Sequence, residues 1–195
     1  MIQQSIPAVS TTFLTALVSL YSINAIAAYG ITGKLETILF YPAMALNMVL
    51  TTIVGQCAGA KRIDRAKDYL KCALRYGGGL LVILSILVVM FSKQLSGLFV
   101  RSSDVAAIVR TYFLIVGIGY VLNTVTNCHL GLMNGLGKPS KSMLLMIFYY
   151  IIVRMPLAYL LSYFGFGLDG IWFAVLVSHI IASIAAVIIG VSSLR

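Results

Sequence analysis

The sequence predicts an all-α integral membrane protein, with six transmembrane helices forming one bundle and a cytoplasmic amphipathic connector helix. Three observations carry that prediction. The 195-residue chain opens with 32 residues free of formal charge, Ile2 to Gly33, and further runs follow at Thr37–Ala60, Tyr76–Ser92, Thr111–Gly137 and Gly170–Leu194. Such runs match the roughly 17–25 residues a helix needs to cross a bilayer. The composition is 61% apolar and 10% charged, with a mean hydropathy of +1.02, whereas about a quarter of residues in soluble domains are charged. The basic residues collect between the apolar runs rather than on an independent domain. Backbone groups in hydrocarbon must be bonded within their own segment, so the spans are helices.

In chain order the spans are expected at about 2–22, 25–56, 77–91, 106–134, 142–164 and 171–192, within a single unit 1–195. The first charge-free run would be about 48 Å long as one helix, so a break is expected near Ser22, Ile23 and Asn24. That division leaves Lys34 and Glu36 in the first third of the second helix, near an interface. Residues 61–75 form the connector. Ile63, Ala66, Leu70, Ala73 and Leu74 share one helical face, and Lys61, Arg65, Lys67, Lys71 and Arg75 surround it, as in a helix lying on anionic headgroups. A loop is expected over 95–104. Gly135 to Pro139 and Gly165 to Gly170 read as turns, since Gly ends helices and Pro cannot continue them.

Loop charges set the expected orientation. With the N-terminus inside, Lys61, Arg62, Arg65, Lys67, Lys71, Arg75, Lys138, Lys141 and Arg195 face the cytoplasm, while Lys34, Lys93, Arg101 and Arg110 face outward. Nine against four places both termini in the cytoplasm of a multi-pass protein of the cell inner (plasma) membrane. Trp172 then falls at the outer interface. The same distribution accounts for the net charge of +9 without invoking nucleic acid as a partner. The beginning of the chain lacks the basic region and small-residue cleavage site of a secretory signal. Cys57, Cys72 and Cys128 have no metal-ligand spacing and read as packing residues.

Polar residues within the spans are the candidate functional groups, because polar side chains are costly in lipid. Arg154 either lines a polar cavity or snorkels and bonds carbonyls freed by Pro156. His129 and His179 either relay protons or make single interhelical hydrogen bonds. Asn123 and Asn127, four residues apart on one helical face, either hold a ligand or join helices. Pro42 is expected to bend the second span. No carboxylate is evident at mid-membrane. No HExxH, GxSxG or phosphate-binding loop is present, so no catalytic residue and no metal site is expected, and the chain is not read as an enzyme.

Several stretches resemble the multidrug and toxic compound extrusion (MATE) transporters. Ala27-Ala28-Tyr29-Gly30-Ile31, then Glu36 and Pro42, precede Gly55-Gln56-Cys57-Ala58-Gly59-Ala60-Lys61-Arg62 and Arg65-Ala66, similar to the family's "AAY-I" and "GQN-GAGK--RA". Gly131–Pro139 is similar to the "G-GKP" turn, and Arg154 to Tyr159 with Gly167 to Trp172 to "R-P-AY" and "G--G-W". Gly55, Gln56, Gly59, Lys61 and Arg65 make up the cytoplasmic family motif, with Cys57 in place of its usual Asn. The resemblance implies the C-terminal bundle of a two-bundle efflux antiporter, with Met1 falling inside the seventh helix. It further implies small cationic organic substrates, H+ or Na+ as coupling ion with no other cofactor, and as partner a second six-helix bundle, either a missing N-terminal half or a second copy. The matching helices lack the carboxylates some branches carry in this half. Asn123, Asn127, Arg154 and His179 are the cavity candidates. Two alternatives stand beside this reading: half of a lipid-linked oligosaccharide flippase, and a non-transporting membrane remnant.

Overall fold

The computed structural model describes residues 2–100 and 102–194 and is helical nearly throughout; Arg101 and Arg195, both counted in the orientation argument, lie outside the described residues. α1 (Ile2–Ser19) ends in a short turn, and Ser22 starts α2 (Ile23–Gly59) by accepting the Ala25 N–H on its hydroxyl at 3.0 Å. A side-chain acceptor at this position satisfies one of the orphan N–H groups of a helix start. α2 is 37 residues long, about 55 Å. It is followed by α3 (Ile63–Cys72), a wide π turn (Ala73–Gly77), α4 (Gly78–Gly97) and α5 (Ser103–Gly135). The remainder runs through α6 (Pro139–Ile147), a π turn (Phe148–Arg154), α7 (Met155–Leu161), a second π turn (Ser162–Phe166) and α8 (Gly167–Ser193).

Four stretches among the described residues are long and apolar enough to cross a membrane: Ile23–Gly59, Ile63–Gly97, Ser103–Gly135 and Pro139–Ser193, beside the shorter apolar Ser5–Ser19. The last of these doubles back. Gly165 and Gly167 have φ of +88° and +59°, a region open to glycine but costly for other residues. The reversal brings α8 back against α7, so that Arg154 meets Ser178 and His179. The π turn before Pro156 places the missing proline donor where the helix is already widened.

α5 is the central strut, buried along most of its length and packed against α2, α4 and α8. Its approach to α2 depends on two glycines. A Cβ on Gly131 would lie 2.5 Å from the Asn47 carbonyl oxygen, and one on Gly135 would lie 2.7 Å from that of Thr51. Small residues four apart let two backbones come close where lipid gives no hydrophobic drive. α2 and α5 also end alike. Lys61 and Arg62 donate to the Ala58 and Cys57 carbonyls, and Gly137 and Lys138 to those of Asn134 and Met133. Both are Schellman ends with a left-handed residue. At Gly137 glycine takes that position, but α2 uses Lys61 at φ +57°.

Two expectations are corrected. The third span does not stop near 91: Ser92 and Ser96 bond the carbonyls of Val89 and Lys93, and the helix continues to Gly97. The connector does not rest its apolar face on lipid, because Ala66 and Leu70 are buried against Leu50, Val54, Cys128 and Leu132. Trp172, expected at the outer interface, has its ring buried within the bundle, stacked on Tyr29 and edge-on to Tyr112. Pro42, expected to bend the second span, lies inside the continuous helix α2.

Candidate functional site

Two neighbouring cavities among the helices are lined in part by polar side chains. The first, about 380 Å³, lies among α1, α2, α5, the Phe148–Arg154 turn and α8, and is lined by Glu36, Tyr112, Tyr120, Tyr150, Arg154 and His179 among others. Glu36, expected near an interface in the first third of the second span, lines this cavity. It stands thirteen residues into α2, about 20 Å along the axis, and Tyr112 and Tyr120 both donate their hydroxyls to its Oε1. Those tyrosines are eight residues apart on α5, so about two turns bring them to one face. Lys34, two residues from Glu36 and hence about 200° around the helix, is exposed on the far side.

Arg154 closes this cavity. It is 7% exposed. Its Nε donates to the Ser178 hydroxyl at 2.8 Å and its Nη2 lies 3.2 Å from His179 Nε2. A guanidinium has only donors, so Nε2 accepts and the neutral ring carries its hydrogen on Nδ1; that nitrogen is buried without a partner among the described residues. The guanidinium also sits 4.6 Å over the Tyr150 ring, a cation–π contact. Buried charge in a membrane protein is costly and marks functional paths. Here it shares a cavity with a carboxyl group, with no direct ion pair between them.

The second cavity, about 570 Å³, is lined by Gln3, Asn47, Asn127, Asn134, Met48 and Tyr149 among others. Asn47 donates to Asn127 Oδ1 at 3.3 Å, and Asn127 donates to the Asn123 carbonyl at 3.0 Å. Asn123 lines neither cavity; it is buried, with an unpartnered Nδ2 among the described residues. Thus Arg154 and His179 come together, Asn127 stands in the next chamber, and Pro7, Phe40 and Tyr150 form the shared wall. His129 sits apart, its Nδ1 bonded to the Val125 carbonyl. The motif residues Gly55, Gln56, Gly59, Lys61 and Arg65 lie away from both cavities: Gly55 packs near the Gly135 carbonyl, Lys61 closes the α2 end, and Gln56, Gly59 and Arg65 are exposed. Among the described residues no cluster of three or more His, Cys, Asp or Glu could hold a metal ion.

The MatE family model matches residues 1–160. The chain belongs to the MatE family. A probable multidrug resistance protein NorM of Pasteurella multocida is 31% identical over 176 residues, which are 87% of this chain and 38% of that protein. A FAD transporter of Shewanella oneidensis is 26% identical, over 83% of this chain and 36% of its own length. In structure, the bent form of the Vibrio cholerae MATE transporter VcmN superposes over the whole chain and 44% of its own length, with a TM-score of 0.91 at 24% identity. This MatE chain is therefore a multi-pass membrane protein with a transporter fold rather than an enzyme fold, and it spans less than half the length of these relatives. Sequence reasoning missed Glu36, Tyr112 and Tyr120 as site residues. The usable signal was register: Ala28, Thr32 and Glu36 follow at intervals of four, on the side of α2 that faces α5.

Proposed function

We propose that this chain forms one six-span half, the second, of a MATE-type efflux antiporter, in which Glu36 handles the coupling H+ or Na+ and small organic cations are exported. The single observation that carries the reading is a carboxyl group held by two tyrosine hydroxyls in a chamber shared with Arg154 and His179. A carboxylate inside a bundle is the group an ion-coupled carrier needs, and such residues are rarely retained for packing alone. In this reading the spans are α1, α2, α4, α5, the arm from Pro139 to Leu161, and α8, with both termini in the cytoplasm. Serving as half of the fold explains the α1 face formed by Thr11, Thr12 and Thr15, exposed and bonded only to its own backbone carbonyls. A second bundle, whether a complementary half or another copy, would cover it. The flippase alternative has less support, since Arg154 is the one cation lining either cavity among the described residues and a pyrophosphate would need several.

Ethidium efflux from cells tests the proposal. Cells with this chain and a complementary MatE half should clear the dye, and cells with this chain alone should clear it only where crosslinking shows that it has paired with a second copy. Clearance by this chain as a proven monomer, or no clearance by the pair when both halves are inserted, would refute it.

A further inference from the structure

The larger cavity has a chemistry unlike that of the Glu36 chamber. Among the described residues no acidic or basic side chain lines it. It presents the side-chain amides of Gln3, Asn47, Asn127 and Asn134 between the apolar surfaces of Met48 and Tyr149. An organic cation entering here would shed water without meeting a counter-charge, which is unfavourable. A side-chain amide offers a donor and an acceptor side by side, the pattern presented in reverse by the edge of a cyclic amide or imide. Met and aromatic walls suit a flat π system, and about 570 Å³ falls in the range of pockets for drug-sized molecules. The amides are only partly engaged with one another. Gln3 donates to Asn134 Oδ1 at a long 3.4 Å, and Asn134 Nδ2 makes no hydrogen bond among the described residues.

We propose that this groove is a binding site for uncharged, planar heteroaromatic ligands carrying an amide or imide edge. The inference rests on the transporter reading and goes beyond it: organic cations belong to the chamber of Glu36, and this second chamber takes a different, uncharged ligand class. Equilibrium binding tests it without requiring transport, so failure of efflux and failure of this proposal are separable. The probe is 4-amino-1,8-naphthalimide, whose fluorescence reports an apolar site, titrated into the purified full chain in detergent. Its N-methyl analogue lacks the imide N–H, and ethidium serves as the flat cation. The naphthalimide should bind saturably, at least tenfold tighter than either comparison compound. Asn134→Asp, which keeps the side-chain shape, should reverse the preference in favour of ethidium. Asn127→Leu should weaken naphthalimide binding at least tenfold. Helical circular dichroism of each variant checks that it is folded. Ethidium bound as tightly as the imide by the unaltered chain, an N-methyl analogue bound equally well, an unchanged preference in folded Asn134→Asp, or no saturable naphthalimide binding would each overturn the proposal.

Discussion

Gly131→Ala tests the contact on which the bundle geometry depends. The added Cβ would lie 2.5 Å from the Asn47 carbonyl oxygen, 3.0 Å from Asn47 Cα and 3.0 Å from Leu50 Cβ. Two of these partners are backbone, so no rotamer change relieves the clash, and α2 and α5 must move apart by about 1 Å to restore ordinary contact near 3.5 Å. Overpacking of this kind costs roughly 1–3 kcal/mol. In a chain of this size each kcal/mol shifts the melting temperature by about 2–4 °C, giving a loss of roughly 2–12 °C. The same movement lengthens the Asn47–Asn127 hydrogen bond, already 3.3 Å, and so loosens the amide groove. Thermal unfolding in detergent, followed by circular dichroism at 222 nm, measures the effect. Gly30→Ala is the control, because nothing lies within 4 Å of its added Cβ and alanine favours a helix. If Gly131→Ala melts with or above the unaltered chain, the close α2–α5 contact is wrong.

Three further outcomes follow from particular residues. Tyr112→Phe with Tyr120→Phe removes both hydroxyl donors from Glu36, at about 1.5–3 kcal/mol each for hydrogen bonds to a charged group. Ion-driven efflux by the assembled halves should fall at least tenfold, and adding Glu36→Gln should cost little more, since the three side chains act as one unit; losses that multiply fully would disprove the shared role. Lys61→Gly should raise the melting temperature by about 2–4 °C, because a non-glycine residue at left-handed φ costs roughly 1 kcal/mol; a decrease would contradict the Schellman end. Cys72 is exposed, whereas Cys57 and Cys128 are buried. A membrane-impermeant maleimide should therefore label one thiol in inside-out vesicles and none in intact cells, and labelling in intact cells would reverse the proposed orientation.

The bilayer made much of the architecture readable. Charge-free runs mark helices because lipid leaves the backbone no other solution, and the break at Ser22, the turn at Gly137 and the reversal at Gly165 follow from residues with a recognised local chemistry. What sequence position could not convey was direction around a helix. Glu36 read as interfacial because Lys34 is nearby, yet two residues turn the helix by about 200°, and the pair points to opposite sides. Trp172 read as an interfacial indole, and Tyr29 and Tyr112 give it an aromatic niche that only tertiary packing creates. The connector's apolar stripe was visible in sequence, while its choice of α2 and α5 over lipid was not. The span ending at Gly97 looked shorter because its charge-free run stops before Lys93, yet Ser92 and Ser96 bond the preceding turn and the helix continues.

Gradient-driven transport in vesicles asks the central question most directly. Reconstituted with a complementary MatE half, the unaltered chain should move ethidium when a proton or Na+ gradient is imposed. Glu36→Gln, inserted to the same level, should show no gradient-dependent movement. Undiminished gradient-driven transport by Glu36→Gln would mean that the tyrosine-held carboxyl group takes no part in coupling.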